Sequence, residues 1–529
     1  MSTPGVSLRK DAQPTDCRRP PFGRLLVANR GEIALRIFRA CRELGIESVA
    51  VYSDADSDAL HTQAADIAVR IGPAAATESY LSVDAIIEAA RQTGAQAIHP
   101  GYGFLSEQPA LADAAGAAGI VFVGPGRETL EQLGDKLAAR SRAAAAGVSV
   151  VPGTFEPIDA DHERELRDAA ARVGYPVLVK AAAGGGGRGM RRVDDADLLL
   201  ESVAAAAREA AAAFGDASVY LERYVEGARH VEVQLLGDGA GAIVALGERD
   251  CSTQRRHQKL VEEAPAPGLT TDQRRTLHGL GVQVARTVGL RNAATAEFLY
   301  TPDGEFWFLE VNARLQVEHG VTELVTDVDL VHEQLWLAAG ERLSERVLAA
   351  AERAAEPGRH SIEVRLSAED PANDFAPAPG AIGRWRIPMG RGIRIDAGVG
   401  EGSIVSIDYD PLLAKLMVVA QDRGAAIARL ARGLAEFEIG GLQTTLPFHL
   451  WLIAQPEFAA ADGLSTDFVN RNWQPGALVS VAALRAAELA AMEAGRHPTP
   501  PGAGAGIRRD GRSSAWWQAG IAEATERRW

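Results

Sequence analysis

Residues 296–319 read AEFLYTPDGEFWFLEVNARLQVEH. The Asp303-Gly304 pair lies between two apolar runs, and this pattern predicts a β-hairpin with a tight turn. If this pair forms a two-residue loop, Glu297 lies directly opposite Glu310 on the neighbouring strand. Facing side chains have Cβ atoms roughly 5 Å apart, and like charges at that spacing destabilise a sheet. A hard divalent cation between the two carboxylates would offset the repulsion.

Polar side chains continue along the second strand of this hairpin. Asn312 and Arg314 follow Glu310 at period two, so the three residues are predicted to share one face of the strand. Together with Glu297 they would supply carboxylates, an amide oxygen and a guanidinium, which suits a metal beside a phosphate or carboxylate. The alternative is a solvated hairpin face. Apolar residues that predict cover on both faces argue against it: Phe298, Tyr300, Phe306, Phe308, Leu309 and Val311.

Composition limits the class of protein. The chain has 529 residues and a net charge of −15, with 47% hydrophobic and 24% charged residues, which allows three or four domains. Its negative charge argues against nucleic-acid or anionic-membrane partners. Cys17, Cys41 and Cys251 form no Cys-x-x-Cys pair, and Met1 to Pro21 lacks an apolar signal core. No window resembles a membrane span. We expect a cytoplasmic protein.

The order of apolar segments predicts the fold class. From Arg24 to about Gly124 strands alternate with helices, which predicts a parallel sheet. The loop Asn29–Glu32 lacks G-x-G-x-x-G, so we expect a Rossmann-like unit without a dinucleotide. A helical stretch is predicted at Thr129 to Ala146, a mobile glycine-rich lid at about 152–224, and further strands from Arg229 onward. The fold is therefore predicted as α/β and α+β, with a mixed α+β C-terminal domain.

A glycine cluster follows an apolar strand of the predicted lid. Residues 180–190 read KAAAGGGGRGM. Glycines allow backbone N–H groups to converge on an anion, and Lys180 at the strand end can meet a phosphate. The spacing is not G-x-x-x-x-G-K-[ST], which excludes the P-loop class. A flexible linker is the alternative interpretation.

Three other segments are candidates for ligand contact, each with a plainer alternative. Lys136 could bind a second phosphate or be solvated at a helix start. Residues 222–225 could contact adenine through their backbone or form an edge strand. The basic segment Arg249 to Lys259 could form a cationic focus for a small anion or a triphosphate, or a solvated charged loop.

Taken together, these residues resemble the biotin carboxylase component of biotin-dependent carboxylases, an ATP-grasp family, from about Arg24 to Phe468. Each motif alone could be chance, but their shared order is specific. Gly320 stands where the family usually has proline, and this departure removes no reacting group. The motifs that carry the resemblance are ANRGEIA at 28–34, HPGYGFLSE at 99–107, GDK at 134–136, the glycine cluster, RRHQK at 255–259, EEAP at 262–265, EVNARLQVEH at 310–319, EVRL at 363–366 and AEDP at 368–371.

The resemblance implies a role for each matching residue. ATP would be bound by Lys136, Lys180, Gly186, Gly187, Glu222, Arg223, Tyr224, Val225, His230 and His257. Mg²⁺ or Mn²⁺ would be held by Glu297, Glu310 and Asn312. Bicarbonate would be bound by Lys259, Arg314, Gln316 and Val317. Glu318 would be the general base, acting with Arg314 and Lys259, and Arg365 would bind biotin.

The chemistry that the resemblance implies has two stages. Bicarbonate attacks the γ-phosphate of ATP to give carboxyphosphate, which then releases CO₂ and phosphate. The phosphate deprotonates N1 of biotin, which captures the CO₂. The implied cofactors are ATP, Mg²⁺ or Mn²⁺, and biotin as a substrate carried by another protein.

The resemblance also implies a domain order and partners. We expect an N-terminal extension at 1–22, a Rossmann-like domain at 23–134, an ATP-grasp domain at 135–355, a biotin carboxylase C-terminal domain at 356–470 and an extension of unknown role at 471–529. No Met-Lys-Met sequence occurs, so biotin is expected on a separate biotin carboxyl carrier protein, with separate carboxyltransferase subunits. A homodimer is implied.

The whole enzyme is expected to be an acyl-CoA carboxylase, of which this chain performs the first half-reaction. One alternative is the corresponding subunit of a pyruvate carboxylase. Others are an ATP-grasp ligase of the purine or carbamoyl-phosphate type and a non-catalytic nucleotide-binding subunit. In the tail, a helix is expected at 479–493, and Trp516, Trp517 and Trp529 could dock a partner or belong to a disordered end.

Overall fold

The computed structural model describes residues 20–158, 162–182 and 190–475. Its N-terminal part is a sheet with strand order β3-β2-β1-β4-β5, in which all neighbours are parallel. The predicted parallel sheet is therefore confirmed. Its elements are β1 (Arg24–Val27), α1 (Gly31–Leu44), β2 (Glu47–Ser53), α2 (Leu60–Ala64), β3 (Ile67–Gly72), α3 (Val83–Thr93), β4 (Ala97–His99), α4 (Pro109–Ala117), β5 (Val121–Phe122) and α5 (Arg127–Gly134).

The order of this sheet reverses between β1 and β4. Loops after the two strands therefore leave the same edge of the sheet, where open α/β sheets bind their ligands. Asn29, after β1, donates from Nδ2 to the carbonyl oxygens of Pro100 and Tyr102, both at 2.7 Å. This side chain ties the two loops together beside the main cavity, which Asn29 and Tyr102 both line.

A small antiparallel sheet with strand order β7-β6-β8 follows. Helices α7 and α8 pack on it through Leu166, Val203 and neighbouring apolar residues, which form one buried cluster with Val177 and Leu221. The glycine cluster at 183–189, including Gly186 and Gly187, lies outside the described residues. The elements are α6 (Lys136–Ala145), α7 (Glu163–Val173), β6 (Val177–Ala181), β7 (Arg191–Val193), α8 (Leu199–Phe214) and β8 (Val219–Arg223).

The single helical stretch predicted from Thr129 to Ala146 is wrong. The chain leaves the helical conformation at Asp135, where φ is −82° and ψ is 102°. The carboxylate of Asp135 then accepts a hydrogen bond from the backbone N of Ala138 at 3.0 Å, so it caps a new helix. Because of this break, Lys136 is the first residue of α6.

The rest of the described chain is built around a large antiparallel sheet with strand order β13-β12-β9-β10-β11-β14-β21-β19, beside which lie three two-stranded sheets, β15-β16, β17-β20 and β18-β22. Its elements up to β14 are β9 (Arg229–Asp238), β10 (Ile243–Arg255), β11 (Gln258–Ala264), α9 (Thr271–Thr287), β12 (Arg291–Tyr300), β13 (Phe306–Asn312), α10 (His319–Thr326), α11 (Leu330–Ala338), α12 (Glu345–Arg353) and β14 (His360–Ser367). The later elements are β15 (Glu369–Asp370), β16 (Ala376–Pro377), β17 (Gly380–Ala381), β18 (Arg384–Arg386), β19 (Ile393–Ala397), β20 (Ile404–Val405), β21 (Leu412–Ala420), α13 (Arg423–Glu436), β22 (Glu438–Gly440), α14 (Leu446–Ile453), α15 (Pro456–Ala460) and α16 (Phe468–Asn472).

This sheet continues across the position where a domain boundary was expected, at 355/356. Strand β11 pairs with β14, and Val261 lies opposite Val364. Segments on both sides of that position therefore share one hydrogen-bonded ladder. Among the described residues, none of the helices is both long enough and apolar enough to cross a bilayer. The tail positions 479–493, 516, 517 and 529 lie outside the described residues.

The turn of the β12–β13 hairpin differs from the prediction. Tyr300 pairs with Phe306, and the backbone N of Thr301 donates to the carbonyl of Glu305 at 2.9 Å. Gly304 has a φ of 86° and donates to the Thr301 carbonyl at 3.0 Å. The loop therefore has three residues rather than two, and glycine supplies the left-handed position that such loops need.

A β-bulge corrects the register further along the same hairpin. Phe298 pairs with Phe308, but the next residue towards the site, Glu297, pairs with Glu310. Leu309 is the extra residue on the second strand. The predicted pairing of the two glutamates is confirmed, although the two-residue turn from which it was deduced is wrong. A bulge beside a site re-aims the side chains that follow it.

Gly320 lies in the first turn of α10, against β21. A Cβ atom at this position would overlap Sδ of Met417, whose side chain is fully buried. We expect Gly320→Ala to lower the free energy of unfolding by about 1–3 kcal/mol through overpacking. Urea unfolding measures the change.

The control for this prediction is Gly279→Ala in α9, where an added Cβ meets no atom within 4 Å. Alanine favours a helix, so this control should be neutral or stabilising. The double variant Gly320→Ala/Met417→Ala should lose less free energy of unfolding than the two single variants lose in sum, because the added Cβ and the Met417 side chain occupy the same space. Unchanged stability in Gly320→Ala would contradict the packing argument.

Candidate active site

The main cavity has a volume of about 760 Å³ and is lined by the small sheet, the large sheet and the loops after β1 and β4. Of the residues expected at the site, Glu318 borders this cavity through its contacts with two lining side chains. Gly186 and Gly187 lie outside the described residues. The remaining expected residues line it: Lys136, Lys180, Glu222, Arg223, Tyr224, Val225, His230, His257, Lys259, Glu297, Glu310, Asn312, Arg314, Gln316, Val317 and Arg365.

The strand ends of the small sheet hold a buried ion-pair group. Lys180, at the end of β6, pairs through Nζ with Glu222 of β8, and Glu222 also pairs with Arg140 of α6. One carboxylate oxygen of Glu222 pairs with Arg140 and the other with Lys180, so in this structure Glu222 positions Lys180. Arg140 was not singled out from the sequence. Its signal was a helical spacing of four from Lys136, which places both residues on one face of α6.

The remaining residues of this strand end differ in their surroundings. Arg223 is exposed, while Tyr224 and Val225 are half-buried. The hydroxyl of Tyr224 donates to Asp467, near the end of the described chain. Arg192 lies over the ring of Tyr224, with Cζ 4.4 Å from its centre. Residues 223–225 therefore line the cavity, and contacts with Asp467 and Arg192 hold the side chain of Tyr224 in place.

Lys136 and Glu310 form an ion pair across the cavity, with Nζ 3.1 Å from Oε2. The positive charge of Lys136 lowers the pKa of Glu310. Burial would lower the pKa of Lys136, but Glu310, Glu222 and Glu297 together outweigh that effect and raise it. Both groups are therefore charged at neutral pH, and they lie next to each other beside strand β13 of the hairpin.

Glu297 lies between a histidine and a lysine. Its Oε2 is 3.0 Å from Nε2 of His230, and its Oε1 is 3.0 Å from Nζ of Lys259. Burial would raise the pKa of Glu297, but the charge of Lys259 and the hydrogen bond with His230 hold it well below its ordinary value. The cross-strand repulsion with Glu310 that pointed to a metal is thus offset here by side chains of the protein itself.

The fit of a divalent cation depends on the amide of Asn312. Its Oδ1 accepts a hydrogen bond from Nη2 of Arg314 at 3.0 Å, and its Nδ2 donates to Oε1 of Glu297 at 2.9 Å. The two carboxylates are the hard oxygen donors that Mg²⁺ and Mn²⁺ prefer. Turning the Asn312 amide by 180° would exchange Oδ1 and Nδ2. Oδ1 would then lie toward Glu297 as a third oxygen ligand, beside the two carboxylates. The residues present therefore fit a hard cation after this turn.

Lys259 is the centre of the site. Its Nζ is 2.5 Å from Oε2 of Glu232, 3.0 Å from Oε1 of Glu297 and 2.8 Å from Oε1 of Glu318. Burial opposes the charge on Lys259, but these carboxylates outweigh it and raise its pKa. One ammonium group therefore joins a predicted metal ligand, Glu297, to the predicted base, Glu318.

Glu318 is held between two cations. Its Oε1 faces Lys259, and its Oε2 is 2.9 Å from Nη2 of Arg365. Burial would raise the pKa of Glu318, but Lys259, Arg365 and Arg249 hold it well below its ordinary value. The carboxylate is therefore ionised and able to accept a proton.

Arg365, on β14, is fixed by a second carboxylate. Its Nε donates to Oε1 of Glu262 at 2.6 Å. Burial raises the pKa of Glu262 to about 7, although Arg365 opposes that shift. Glu262 had been noticed only as part of a motif, and its role became visible from the pairing of β11 with β14.

Lys415 is a site-supporting residue that sequence reasoning missed. It is fully buried, donates from Nζ to the carbonyl oxygen of Val317 at 2.8 Å, and lies 3.1 Å from Oε1 of Glu32. Its signal was a single charge in the apolar run LLAKLMVVA of β21. It anchors the backbone next to Glu318.

The predicted cationic focus over Arg249 to Lys259 is wrong as a single patch. Arg249 is buried and pairs with Glu232 at 2.5 Å. Arg255 and Arg256 both pair with Asp374, the latter at 2.7 Å. These arginines are neutralised because Glu232 of β9 lies beside Arg249, and Asp374 lies beside both Arg255 and Arg256.

The turn after Arg255 presents His257 to the cavity. Arg256 and His257 have left-handed φ values of 48° and 65°, which this hairpin turn requires. Burial, with the nearby Lys180, lowers the pKa of His257 to about 4. The imidazole is therefore neutral at physiological pH.

Three family models match the chain in sequence. They are "Biotin carboxylase, N-terminal domain" over 21–130, "Carbamoyl-phosphate synthase L chain, ATP binding domain" over 135–346 and "Biotin carboxylase C-terminal domain" over 363–471. Biotin carboxylase of Pseudomonas aeruginosa is 48% identical over 435 residues, which cover 82% of this chain and 95% of that protein. The chain belongs to the biotin carboxylase family. The predicted ATP-grasp architecture and enzyme class are confirmed, and the N- and C-terminal matches favour biotin carboxylase over other ATP-grasp ligases.

Other biotin carboxylase relatives belong to different carboxylases. A pyruvate carboxylase subunit of Methanothermobacter thermautotrophicus is 46% identical over 450 residues, covering 85% of this chain and 90% of that one. The biotin carboxylase–β-γ-ATP complex from Campylobacter jejuni has a TM-score of 0.81 at 41% identity, covering 85% of this chain and 99% of that one. The biotin carboxylase domain dimer of Hydrogenobacter thermophilus 2-oxoglutarate carboxylase, in complex with MgADP, ADP and bicarbonate, has a TM-score of 0.82 at 41% identity, covering 86% and 98%.

Proposed function

We propose that this chain uses ATP and bicarbonate to carboxylate biotin carried by a separate biotin carboxyl carrier protein, through carboxyphosphate. The observation that carries the proposal is the position of Lys259, whose Nζ contacts both Glu297 and Glu318. An ammonium group in this position can hold a bicarbonate anion between Glu297, proposed as a metal ligand, and Glu318, proposed as the base. An ordinary nucleotide-binding subunit would not need that base.

The nucleotide would be held by cationic side chains on both sides of the cavity. Lys136 and Lys180 would meet its phosphates, and the backbone of 223–225 and the neutral His257 would contact the nucleoside part. Glu297 and Glu310, with the turned amide of Asn312, would hold Mg²⁺ or Mn²⁺. A bound divalent ion would neutralise phosphoryl charge as it develops. The side chains that now pair with these carboxylates would shift toward the phosphates.

Bicarbonate would lie against the loop after β13. Arg314, Gln316, the backbone of Val317 and Lys259 would bind it, and Glu318 would take its proton on a carboxylate oxygen. Glu318 carries no proton before this step, because its neighbours keep its pKa low. Arg365 would hold the ureido oxygen of biotin on the other side of Glu318. The small sheet would exclude water from the labile intermediate.

For the whole enzyme we propose an acyl-CoA carboxylase, and with it a place in fatty acid biosynthesis, acting in the cytoplasm with separate carboxyltransferase subunits and as a homodimer. Relatives named biotin carboxylase match this chain over 95% or more of their own length, which supports separate carrier and carboxyltransferase subunits. A second candidate is a carboxylase of 2-oxo acids, which the pyruvate carboxylase relative favours. Reconstitution with carrier and carboxyltransferase decides between them, because only one of acetyl-CoA, propionyl-CoA and pyruvate would then take up labelled bicarbonate efficiently.

The first half-reaction is tested by phosphate release. We expect ATP cleavage to depend on bicarbonate and to accelerate with free biotin, because Lys259, Arg314, Gln316 and Glu318 adjoin the nucleotide side of the cavity. Equal rates with and without bicarbonate would contradict the proposal.

A carrier domain supplied in trans should be carboxylated far better than free biotin, since binding energy from the rest of the carrier positions the biotin that reacts. An avidin signal on the purified chain would contradict the separate carrier.

A further inference from the structure

Glu107 reaches from the parallel sheet into the bicarbonate loop. It lies between β4 and α4, in the motif HPGYGFLSE at 99–107. Its Oε1 accepts a hydrogen bond from the backbone N of Ala313 at 3.1 Å, and its Oε2 accepts one from Nε of Arg314 at 3.0 Å. One carboxylate thus holds both the main chain where the loop begins and the guanidinium that follows.

The other hydrogen bonds of Arg314 leave its orientation dependent on Glu107. Nη1 donates to Oε1 of Gln316 at 2.9 Å and to the carbonyl oxygen of Leu315 at 3.2 Å, and Nη2 donates to Oδ1 of Asn312 at 3.0 Å. All of these partners are uncharged. Within the described part of the chain, Glu107 is the one carboxylate at ion-pair distance from Arg314. Every hydrogen bond of the Arg314 guanidinium has a charged donor, but the one to Glu107 also has a carboxylate acceptor, so Coulomb attraction makes it the strongest of these contacts.

The two side-chain amide partners would also change during binding. Asn312 Oδ1 would turn away from Arg314 if the amide took up a cation, and Gln316 would turn if it bound bicarbonate. Glu107 is not needed for either ligand, and its side chain is 39% exposed at the rim. Glu107 can therefore continue to accept the hydrogen bond from Nε of Arg314 while the remaining N–H groups of Arg314 face the anion.

We propose that Glu107 is a positioning residue for bicarbonate, acting through Arg314 and the backbone of Ala313. This inference rests on the proposed function of the same site. It follows that the bicarbonate site is assembled from two parts of the chain that are far apart in sequence. The docking of the parallel sheet against the large sheet completes it.

The test compares Glu107→Ala, Glu107→Gln and a control, Glu88→Ala. Glu88 is exposed on α3, where its carboxylate accepts a hydrogen bond from Nε2 of Gln92 at 3.0 Å. For Glu107→Ala we expect kcat/KM for bicarbonate to fall roughly tenfold to hundredfold, the range for losing a hydrogen bond to a charged group. KM for ATP should stay within about twofold, because Lys136 and Lys180 do not touch Glu107.

Glu107→Gln keeps one acceptor oxygen but loses the charge, so its bicarbonate kcat/KM should fall between those of wild type and Glu107→Ala. Bicarbonate kinetics in Glu107→Ala equal to those of Glu88→Ala would overturn the inference. Equal losses for ATP and bicarbonate together with a lower melting temperature would also overturn it, because they indicate a general structural role. Failure of the proposed function looks different, since wild-type ATP cleavage itself would then not respond to bicarbonate.

Discussion

Replacing Glu310 with glutamine is expected to lower turnover on the order of 10³-fold, because one of the two carboxylates proposed to hold the divalent cation loses its charge, which removes several kcal/mol of stabilisation from the phosphoryl transfer. The fold should remain intact. Glu310 lies opposite Glu297, so the change also removes a cross-strand repulsion. Lys136 loses its ion-pair partner but stays partly accessible to water.

Steady-state rates across a magnesium titration, together with a thermal melt, measure this effect. The matched control is Glu305→Gln in the same hairpin, where the exposed carboxylate accepts a hydrogen bond from Nε1 of Trp307 at 3.0 Å. The control should keep wild-type rates at every magnesium concentration. Near-wild-type activity in Glu310→Gln would show that the metal assignment is wrong.

Lys259→Met should have an even larger combined effect, on both stability and turnover. The change leaves Glu232, Glu297 and Glu318 without the ammonium group that joins them, and all three carboxylates are buried. Removing one partner of a buried ion pair typically costs about 3–5 kcal/mol of unfolding free energy. Bicarbonate-dependent ATP cleavage should fall below detection.

This variant also tests the affinity of the site for cations. Mg²⁺ should raise the melting temperature of Lys259→Met more than that of wild type, because a divalent ion can take the place of the ammonium among the carboxylates. Arg275→Met is the control, since it removes an exposed positive charge paired with Asp272 and Glu356. An unchanged melting temperature in Lys259→Met would contradict the role of the lysine as the common partner.

Local patterns predicted much of the architecture. Alternating strand and helix signals from Arg24 onward predicted the parallel sheet, because each crossover helix must lie between parallel strands. Apolar runs on both sides of Asp303-Gly304 predicted the hairpin and the two facing glutamates. The predicted turn was one residue too short, and the bulge at Leu309 shifted the register back, so that Glu297 still lies opposite Glu310. A bulge leaves no clear signal in a period-two pattern, since it depends on contacts with neighbouring strands.

Family motifs predicted which side chains would meet in the cavity, but not how their charges are balanced. The pairing of Glu222 with Arg140 and Lys180, and that of Arg365 with Glu262, joins residues distant in sequence. The prediction for the basic run after Arg249 was wrong for the same reason. Its carboxylate partners come from other strands and from the loop at Asp374.

The sequence by itself determined the elements, their order and the chemical kinds of side chain at the site, because strand period, turn residues and helix caps act over a few residues. Tertiary structure decided which charges touch. Lys259, Glu318 and Arg365 come from β11, the start of α10 and β14, and Lys415 supports the loop beside them from β21. Coulomb energy depends on the distance between charges in a buried, low-dielectric space, and only the register of the large sheet sets those distances.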